Sequence, residues 1–404
     1  MPTARQAFVP QPVVGRTPEQ LRGYIEGADP VSKRPFMQEV IEGLTRPLDD
    51  KDAKGASFDR STPRLLPADT EDGLQKLFIE QKWTDFLPIM LPSEERVAKM
   101  LKGTSRKPHE IVGRLAPTAF REAWEFDVEK VAVNAVMAGC RPEYLPVVLA
   151  LAASGQTARS SSTTSFAVLA LVNGPMRNEI GMDSGIGVLG PFNHANATIG
   201  RAYNLLSQNL QGGSVPGDTF MGSFGNWLNY SACFPEAEER SPWAPFHVGK
   251  GFRKDESVVS VFFGGRYMLA GFGPRETWQE EFRRAFAGCE QHLAPLFVMD
   301  PLCARAFVER GFDTREQLAR WFSENGRMSA REYWDNEWVQ TLLRPLAAAG
   351  VEPYATKWKA KPEEAIRLFE PGDISIAVAG GETQPAWRMY GGRYMKSVRI
   401  DPWR

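Results

Sequence analysis

Reactive sulfur and imidazole are scarce in this 404-residue chain, which holds four cysteines and four histidines. Cys140, Cys233, Cys289 and Cys303 are widely scattered, with no C-x-x-C pair and no zinc-like spacing, so neither a dithiol redox motif nor a structural metal is expected. His109, His194, His247 and His292 are equally dispersed. Charge of either sign is not in surplus: the formal net charge is -1, which gives no electrostatic reason to expect nucleic acid or an anionic membrane as partner. No apolar run approaches the length of a membrane span. The opening MPTARQAFVPQPVVGR lacks the apolar core of a secretion signal, and a cytoplasmic location is the expectation.

Two familiar signatures are also missing. A nucleophile elbow G-x-S-x-G around Ser184 needs glycine at position 182, where Met182 stands, so a serine hydrolase is not indicated. Gly185-Ile186-Gly187-Val188-Leu189-Gly190 spells G-x-G-x-x-G. It continues into Pro191-Phe192-Asn193 rather than a helix, and no acidic residue closes a compact unit about twenty residues on, so a dinucleotide cofactor is not expected. No cofactor of any kind is expected. No repeat of fixed period is evident.

What remains is the composition of an ordinary globular protein, 43% hydrophobic and 24% charged. Residues 1–70, rich in Pro, Arg, Asp and Gly, read as an extended arm with one helix announced by Thr17-Pro18-Glu19-Gln20, a capping box with proline in the first turn. Such an arm suits wrapping over its own body or over a second subunit, so a homo-oligomer is expected. Residues 71–404 read as one α/β domain, with a possible subdivision near residue 270. Ser93 caps a helix, and the run after Asp127 is a buried helix ended by Gly139. Pro142 opens another, reaching about Ala153. Strands are expected at 166–172, 258–263, 295–299 and 374–379. Helices are expected at 197–210, closed by Gly212-Gly213, at 276–292, and after the capping box Ser329-Ala330-Arg331-Glu332. Strands alternating with helices favour an α/β fold with a mostly parallel sheet flanked by helices, with α+β as the alternative.

The segment VNGPMRNEIGMDSGIGVLGPFNHANATIGR, residues 172–201, follows the first strand and mixes six glycines with polar side chains. Strand ends fix position and glycine lets backbone N–H groups approach a ligand, so a small-molecule site is expected there. The amides of Gly185 and Gly187 and the side chains of Asn173, Asp183, Ser184, Asn193, Asn196 and Thr198 would hold a carboxylate, phosphate or oxyanion. The other reading is a glycine-rich turn whose polar groups satisfy local backbone. A strand running into glycine occurs twice, at Val172-Asn173-Gly174 and Ala379-Gly380-Gly381, and two such ends could face one cleft.

Cys140 lies between Gly139, which ends one helix, and Arg141-Pro142-Glu143, which begins the next. Helix start and adjacent cation both favour thiolate, the nucleophilic form. A small buried core thiol is the competing reading. His247, in the aromatic, proline-punctuated loop SPWAPFHVGKGF, is the candidate proton carrier, or else a half-buried histidine that pins the loop. His194, inside the glycine-rich block, could contact a bound anion. Trp227, Tyr230 and Trp243 would supply apolar pocket walls. The run Arg159-Ser160-Ser161-Ser162-Thr163-Thr164-Ser165 could assist with an anion, and Glu236, Glu238 and Glu239 read as a solvated face.

The blocks WTDFLP, PSEERV, VNAVMAGCRPEYLPVV, VNGP, NATIGRA and SPWAPFH, with a terminal strand ending in AGG, resemble a bacterial family associated with proteins that carry a selenocysteine or cysteine in a U/C-G-S-C motif. The resemblance spans roughly residue 74 to the end. It implies thiol-centred chemistry without naming a reaction, and the U/C-G-S-C motif itself is absent. The chain departs from the family pattern at Phe86, where W-T-D-G-L-P has glycine, at Asp183, where Asn is usual, at Phe192-Asn193-His194, which replaces a Gly-containing stretch, and at Asn226, where a histidine is expected.

Together these features describe a cofactor-independent, thiol-based enzyme of lyase or hydrolase type acting on a small, polar, anionic molecule. Cys140 would be nucleophile or acid/base, His247 and His194 would be its catalytic partners, and Arg141 and residues 183–198 would bind substrate. A redox enzyme with one reactive cysteine and a non-catalytic subunit of a complex are the alternatives.

Overall fold

The computed structural model describes residues 5–13, 15–50, 63–114, 125–159, 163–210, 217 and 220–404. Ser160, Ser161, Ser162 and the Gly212-Gly213 pair lie outside them. The chain divides into two compact units, residues 1–68 and 69–404.

The first unit carries two short helices, α1 (Pro18–Glu26) and α2 (Phe36–Thr45). Thr17 caps α1 through the full capping box with Gln20, as its sequence requires. Asp29 is buried and accepts the backbone N–H groups of Phe8, Val31 and Ser32 at 2.6, 2.7 and 3.0 Å, which holds the turn between the helices. Neither helix buries a side chain.

In the second unit, α3 (Glu71–Glu80) and α4 (Glu94–Leu101) precede the hairpin β1 (Ile111–Arg114) and β2 (Glu125–Asp127). Then come α5 (Val128–Met137), α6 (Leu145–Ala153) and the first central strand, β3 (Ala167–Asn173). The caps Ser93 and Asp127 accept the first-turn N–H groups of Arg96 and Lys130, and Gly139 takes φ 85° past the end of α5. The turn α7 (Met176–Glu179) and the long helix α8 (His194–Leu210) lead to β4 (Cys233–Pro235), the turn α9 (Phe246–Gly249) and β5 (Val258–Phe272). After α10 (Trp278–Ala287) follow β6 (Pro295–Met299), α11 (Pro301–Val308), α12 (Arg315–Asn325), the small two-stranded sheet of β7 (Arg327–Ser329) and β8 (Ala365–Arg367), which short helices separate, and finally β9 (Ser375–Val378) and β10 (Ala386–Arg399).

Six strands form one curled sheet in the order β4-β3-β5-β10-β6-β9. Two pairings, β3 with β4 and β6 with β9, are parallel, and the other three are antiparallel. The fold is therefore mixed α/β, and the expectation of a mostly parallel sheet is corrected. The cause is two long antiparallel strands: the second half of β5, beyond Gly264-Gly265, and the whole of β10, which Gly391-Gly392 interrupts, were not anticipated from the alternation of apolar residues.

No repeat of fixed period was expected, but those glycines mark a short motif that occurs twice. Gly264-Gly265-Arg266-Tyr267-Met268 recurs as Gly391-Gly392-Arg393-Tyr394-Met395, and Gly264 pairs with Gly392 across the two strands. Gly264 faces Ala167, the first residue of β3, as Gly391 faces Pro295, the first residue of β6. One half, β3-β4-β5, is thus repeated as β6-β9-β10 about an approximate two-fold axis between the glycine pairs. The edge strands meet where Ala237 N–H donates to the Val378 carbonyl at 2.7 Å, so the curled sheet closes on itself.

Strand alternation sorts the core into layers. Leu169, Leu171, Phe234, Phe262, Leu296, Val298, Ala377 and Tyr390 point inward and are plugged by Val188, Leu228 and Phe246. Val168, Ala170 and Val172 point outward onto α5, α6 and α8. Phe297, Met299, Ile376, Trp387 and Met389 point outward onto the helices of the second half. Each fully buried side chain of this size contributes about 1.5–3 kcal/mol.

Candidate functional site

The sequence candidates separate into three neighbourhoods. In the first, the chain leaving α5 turns at Gly139 and brings Cys140 and Arg141 against α8. A Cβ added to Gly139 would sit 3.8 Å from both Met90 Sδ and Thr198 Cγ2. Thr198 Oγ1 donates to the His194 carbonyl at 2.7 Å, and the His194 ring lies 5.8 Å from that of Tyr144. Arg201, one turn further along α8, grips Asp85 with Nε and Nη2, both at 2.9 Å, and reaches the Pro88 carbonyl at 2.8 Å. Burial pushes the Asp85 carboxyl up, but the Arg201 fork more than offsets it and the net shift is downward. Arg141 and His194 are exposed on the rim.

Cys140 itself is 8% exposed. Burial pushes its thiol up to about 12, against the opposing pull of the Thr198 hydroxyl and the Arg201 charge. The expected thiolate is thus corrected: the helix-start argument gave the direction of one small effect, and desolvation is larger. All four cysteines are buried, and burial raises each thiol.

Phe86 borders this corner with φ 66°, the left-handed region where glycine is at ease, and half its surface is exposed. A strained backbone under an exposed ring is the kind of departure that gathers at functional sites.

The second neighbourhood lies at the seam. Gly380 N–H donates to the Ser184 carbonyl at 2.9 Å, so the glycine-rich loop does reach the other strand-to-glycine end. Within the loop, however, most polar groups serve the backbone. Asp183 accepts Gly185 N–H at 2.7 Å, and Asn196 donates to the Asp183 carbonyl at 2.8 Å. Asn193 accepts Asn196 N–H at 3.1 Å and donates to the Gly181 carbonyl at 2.9 Å. Gly187 supplies a turn at φ 73°. Asn173 is fully buried and donates to Glu236 at 2.6 Å and to Glu238 at 2.9 Å. These four side chains are therefore corrected from ligand donors to loop and seam supports.

Of the glutamates read as a solvated face, Glu239 is exposed, while Glu236 and Glu238 are corrected. Glu236 has no exposed surface, and its carboxylate accepts Asn173 Nδ2 and Phe246 N–H at 2.6 Å each, Arg315 Nη2 at 3.1 Å and Val378 N–H at 3.2 Å. Glu238 pairs with the buried Arg177 at 3.3 Å. Ser184 Oγ instead accepts from Arg240 Nη2 at 3.0 Å and stays half-buried.

His247 belongs to neither. It is fully buried, on a turn whose Phe246 plugs the interior of the sheet, whereas Cys140 lies in the outer layer. Its Nε2 faces the Arg253 carbonyl at 3.0 Å; a carbonyl only accepts, so Nε2 carries the proton. The pairing of His247 with Cys140 is corrected, because the sheet stands between them. Trp227 and Tyr230 are exposed on a third segment, Trp227 with its ring 6.3 Å from Tyr390, while Trp243 is buried and donates to the Phe312 carbonyl at 3.0 Å. Ser165 is likewise a loop support, accepting Phe224 N–H at 3.3 Å. A surface groove of about 450 Å³ along α12, bordered by Thr314, Arg320 and Trp321, contains no sequence candidate.

No protein-family model, no curated protein and no solved structure is similar to this chain. Among the described residues no three His, Cys, Asp or Glu side chains converge as metal ligands, and no helix is long and apolar enough to cross a membrane.

Sequence reasoning missed Asp85, Tyr144 and Arg201 at the first corner and Arg240, Arg305, Arg315 and Glu382 at the seam. Asp85 and Arg201 stood in the quoted blocks WTDFLP and NATIGRA, so a charge in each was visible. Their pairing was not.

Proposed function

We propose that this chain acts on a small, polar, anionic molecule at the Cys140 corner, by thiol-centred chemistry of lyase or hydrolase type, with His194 in the role first expected of His247. The observation that carries the reading is the meeting of Cys140, Arg141, His194 and Thr198 at one place, beside the Asp85–Arg201 pair and the strained Phe86. Exposed Arg141 and His194 recognise the anion, and Tyr144 positions the imidazole. A thiol near 12 is ionised in roughly one molecule in 10⁵ at neutral pH, so the sulfur works only with a base that takes its proton as the new bond forms. His194 is the imidazole of this corner. The burial of all four thiols weighs against a free redox cysteine.

The test is a thermal-shift screen of small carboxylates and phosphates, followed by turnover assays on each ligand found. Binding should weaken at least tenfold in Arg141→Ala and His194→Ala, and turnover should vanish in Cys140→Ala with the melting temperature nearly kept. Turnover that survives in Cys140→Ala overturns the thiol reading, and ligands indifferent to Arg141 and His194 overturn the site.

The N-terminal unit is read as an assembly element, since α2 exposes Met37, Ile41 and Leu44 at helical spacing and neither of its helices has a core.

A further inference from the structure

The two-fold repeat of the sheet carries a repeated clasp. In each half an arginine on the helix after the first strand grips a glutamate just beyond the second. In the first half Arg177 on α7 meets Glu238 at 3.3 Å and Glu239 at 2.5 Å. In the second half Arg305 on α11 meets Glu382 at 2.5 Å. Comparison of the two gives an internal control. The first clasp is rich in carboxylate and closed at its inner pair: Arg177 and Glu238 are 5% and 7% exposed, and Glu239, 61% exposed, shares the same guanidinium from outside. The second is open and rich in guanidinium. Arg240 joins Arg305 on the single carboxylate of Glu382, at 3.2 Å, and Arg240, Arg305 and Glu382 are each about a third exposed.

The other acidic groups nearby are already occupied. Asp300 accepts Leu302 N–H at 2.8 Å and Glu382 N–H at 2.9 Å, and Asp183 accepts Gly185 N–H. Ser184 Oγ, held by Arg240 Nη2 at 3.0 Å, adds a hydroxyl on the same side. Glu382 itself is bound at φ 57°, a conformation that side chains other than glycine rarely take. A carboxylate held under backbone strain between two partly exposed arginines, one on each oxygen, can be replaced by an incoming oxyanion that offers an oxygen to each.

We propose that Arg240 and Arg305, with the Ser184 hydroxyl, form a second binding site, for a small oxyanion, that the Glu382 carboxylate fills in the unliganded chain. The site is distinct from the Cys140 corner, and its counterpart in the first half is a purely structural clasp.

The full-length chain is titrated with inorganic phosphate and, separately, with citrate, each against sodium chloride of matched ionic strength, and melting temperature and heat of binding are followed. A saturable rise with either probe is expected, weakened at least tenfold in Arg305→Gln and in Arg240→Lys, retained or strengthened in Glu382→Gln, and unchanged in Arg141→Ala. Response to phosphate alone assigns a phosphate ligand, and response to citrate alone assigns a carboxylate. No saturable response to either probe, or one that Arg305→Gln and Arg240→Lys leave intact, overturns the proposal. Because Arg305 lies on the surface, its replacement keeps the fold even if the Arg240 variant does not. Loss of response in Arg141→Ala would move the anion site to the Cys140 corner instead.

Discussion

Removing the Glu236 carboxylate should loosen the whole seam at once. Its two oxygens accept four donors that come from β3, from the turn at Phe246, from α12 through Arg315 and from β9 at Val378. Glu236→Gln keeps the shape but turns an amide NH₂ toward N–H donors, and it leaves the 7%-exposed Arg315 with only the carbonyls of Ile376 and Ala244. Breaking one side of a buried ion pair costs about 3–5 kcal/mol, and each buried donor left unmet adds about 1–3 kcal/mol, though not additively. An overall loss of about 4 kcal/mol is expected, or about 6–10 °C in melting temperature for a unit of this size. The assay is a double-mutant cycle in urea with Arg315→Met, which removes the charge that Glu236→Gln strands. The double variant should be more stable than the sum of the singles implies, with a coupling of at least about 2 kcal/mol. Glu236→Gln within about 1 kcal/mol of the native chain, or strict additivity, would refute the claim that this carboxylate holds the sheet closed.

Four further outcomes follow from the same structure. Folded-state thiols raised to about 12 at Cys140, Cys289 and Cys303 hold their protons after unfolded thiols, near 8.5, have lost theirs, so stability is full below about pH 8.5 and falls above it by about 1.4 kcal/mol per thiol per pH unit. Iodoacetamide at pH 8, read by peptide mass spectrometry, should label native Cys140 about a thousandfold more slowly than unfolded chain, and labelling within minutes would contradict its burial. Gly264→Ala would place a methyl 2.0 Å from the Gly391 carbonyl oxygen and should cost more than about 3 kcal/mol or prevent folding. Gly392→Ala, whose methyl comes no nearer than 3.1 Å, to Leu296 Cβ, should be milder on expression and thermal melting. Asp85→Asn removes the fork on Arg201 and should cost about 2–3 kcal/mol at pH 7. The native carboxyl is held below its usual range, so this contribution is present above about pH 4 and lost as pH falls through the lower folded value, which urea melts at pH 7 and pH 3 would show.

Much of the local structure was legible from residues a few positions apart. Thr17, Ser93, Asp127 and Ser329 cap helices where their side chains can reach an N–H three residues on, Gly139 turns the chain past α5, and the apolar run before Asn173 is a strand. The helix expected from residue 197 begins at His194, because Asn193 caps it through Asn196 N–H. The clustering of Cys140, Arg141, His194 and Thr198 was anticipated only as a set of types. Their meeting depends on α5 packing along α8.

By itself, then, the sequence determined the helix caps, the main glycine turns and the positions of β3, β6, β9 and the first half of β5, since these follow from side-chain and backbone preferences within a single turn or strand. Tertiary structure alone decided that β5 and β10 pair along their length, that Glu236 is a buried hub, that His247 is walled off from Cys140, and that the thiol keeps its proton. Each of those rests on which distant groups exclude water from a given atom and which charges stand beside it, quantities that no short window of sequence contains.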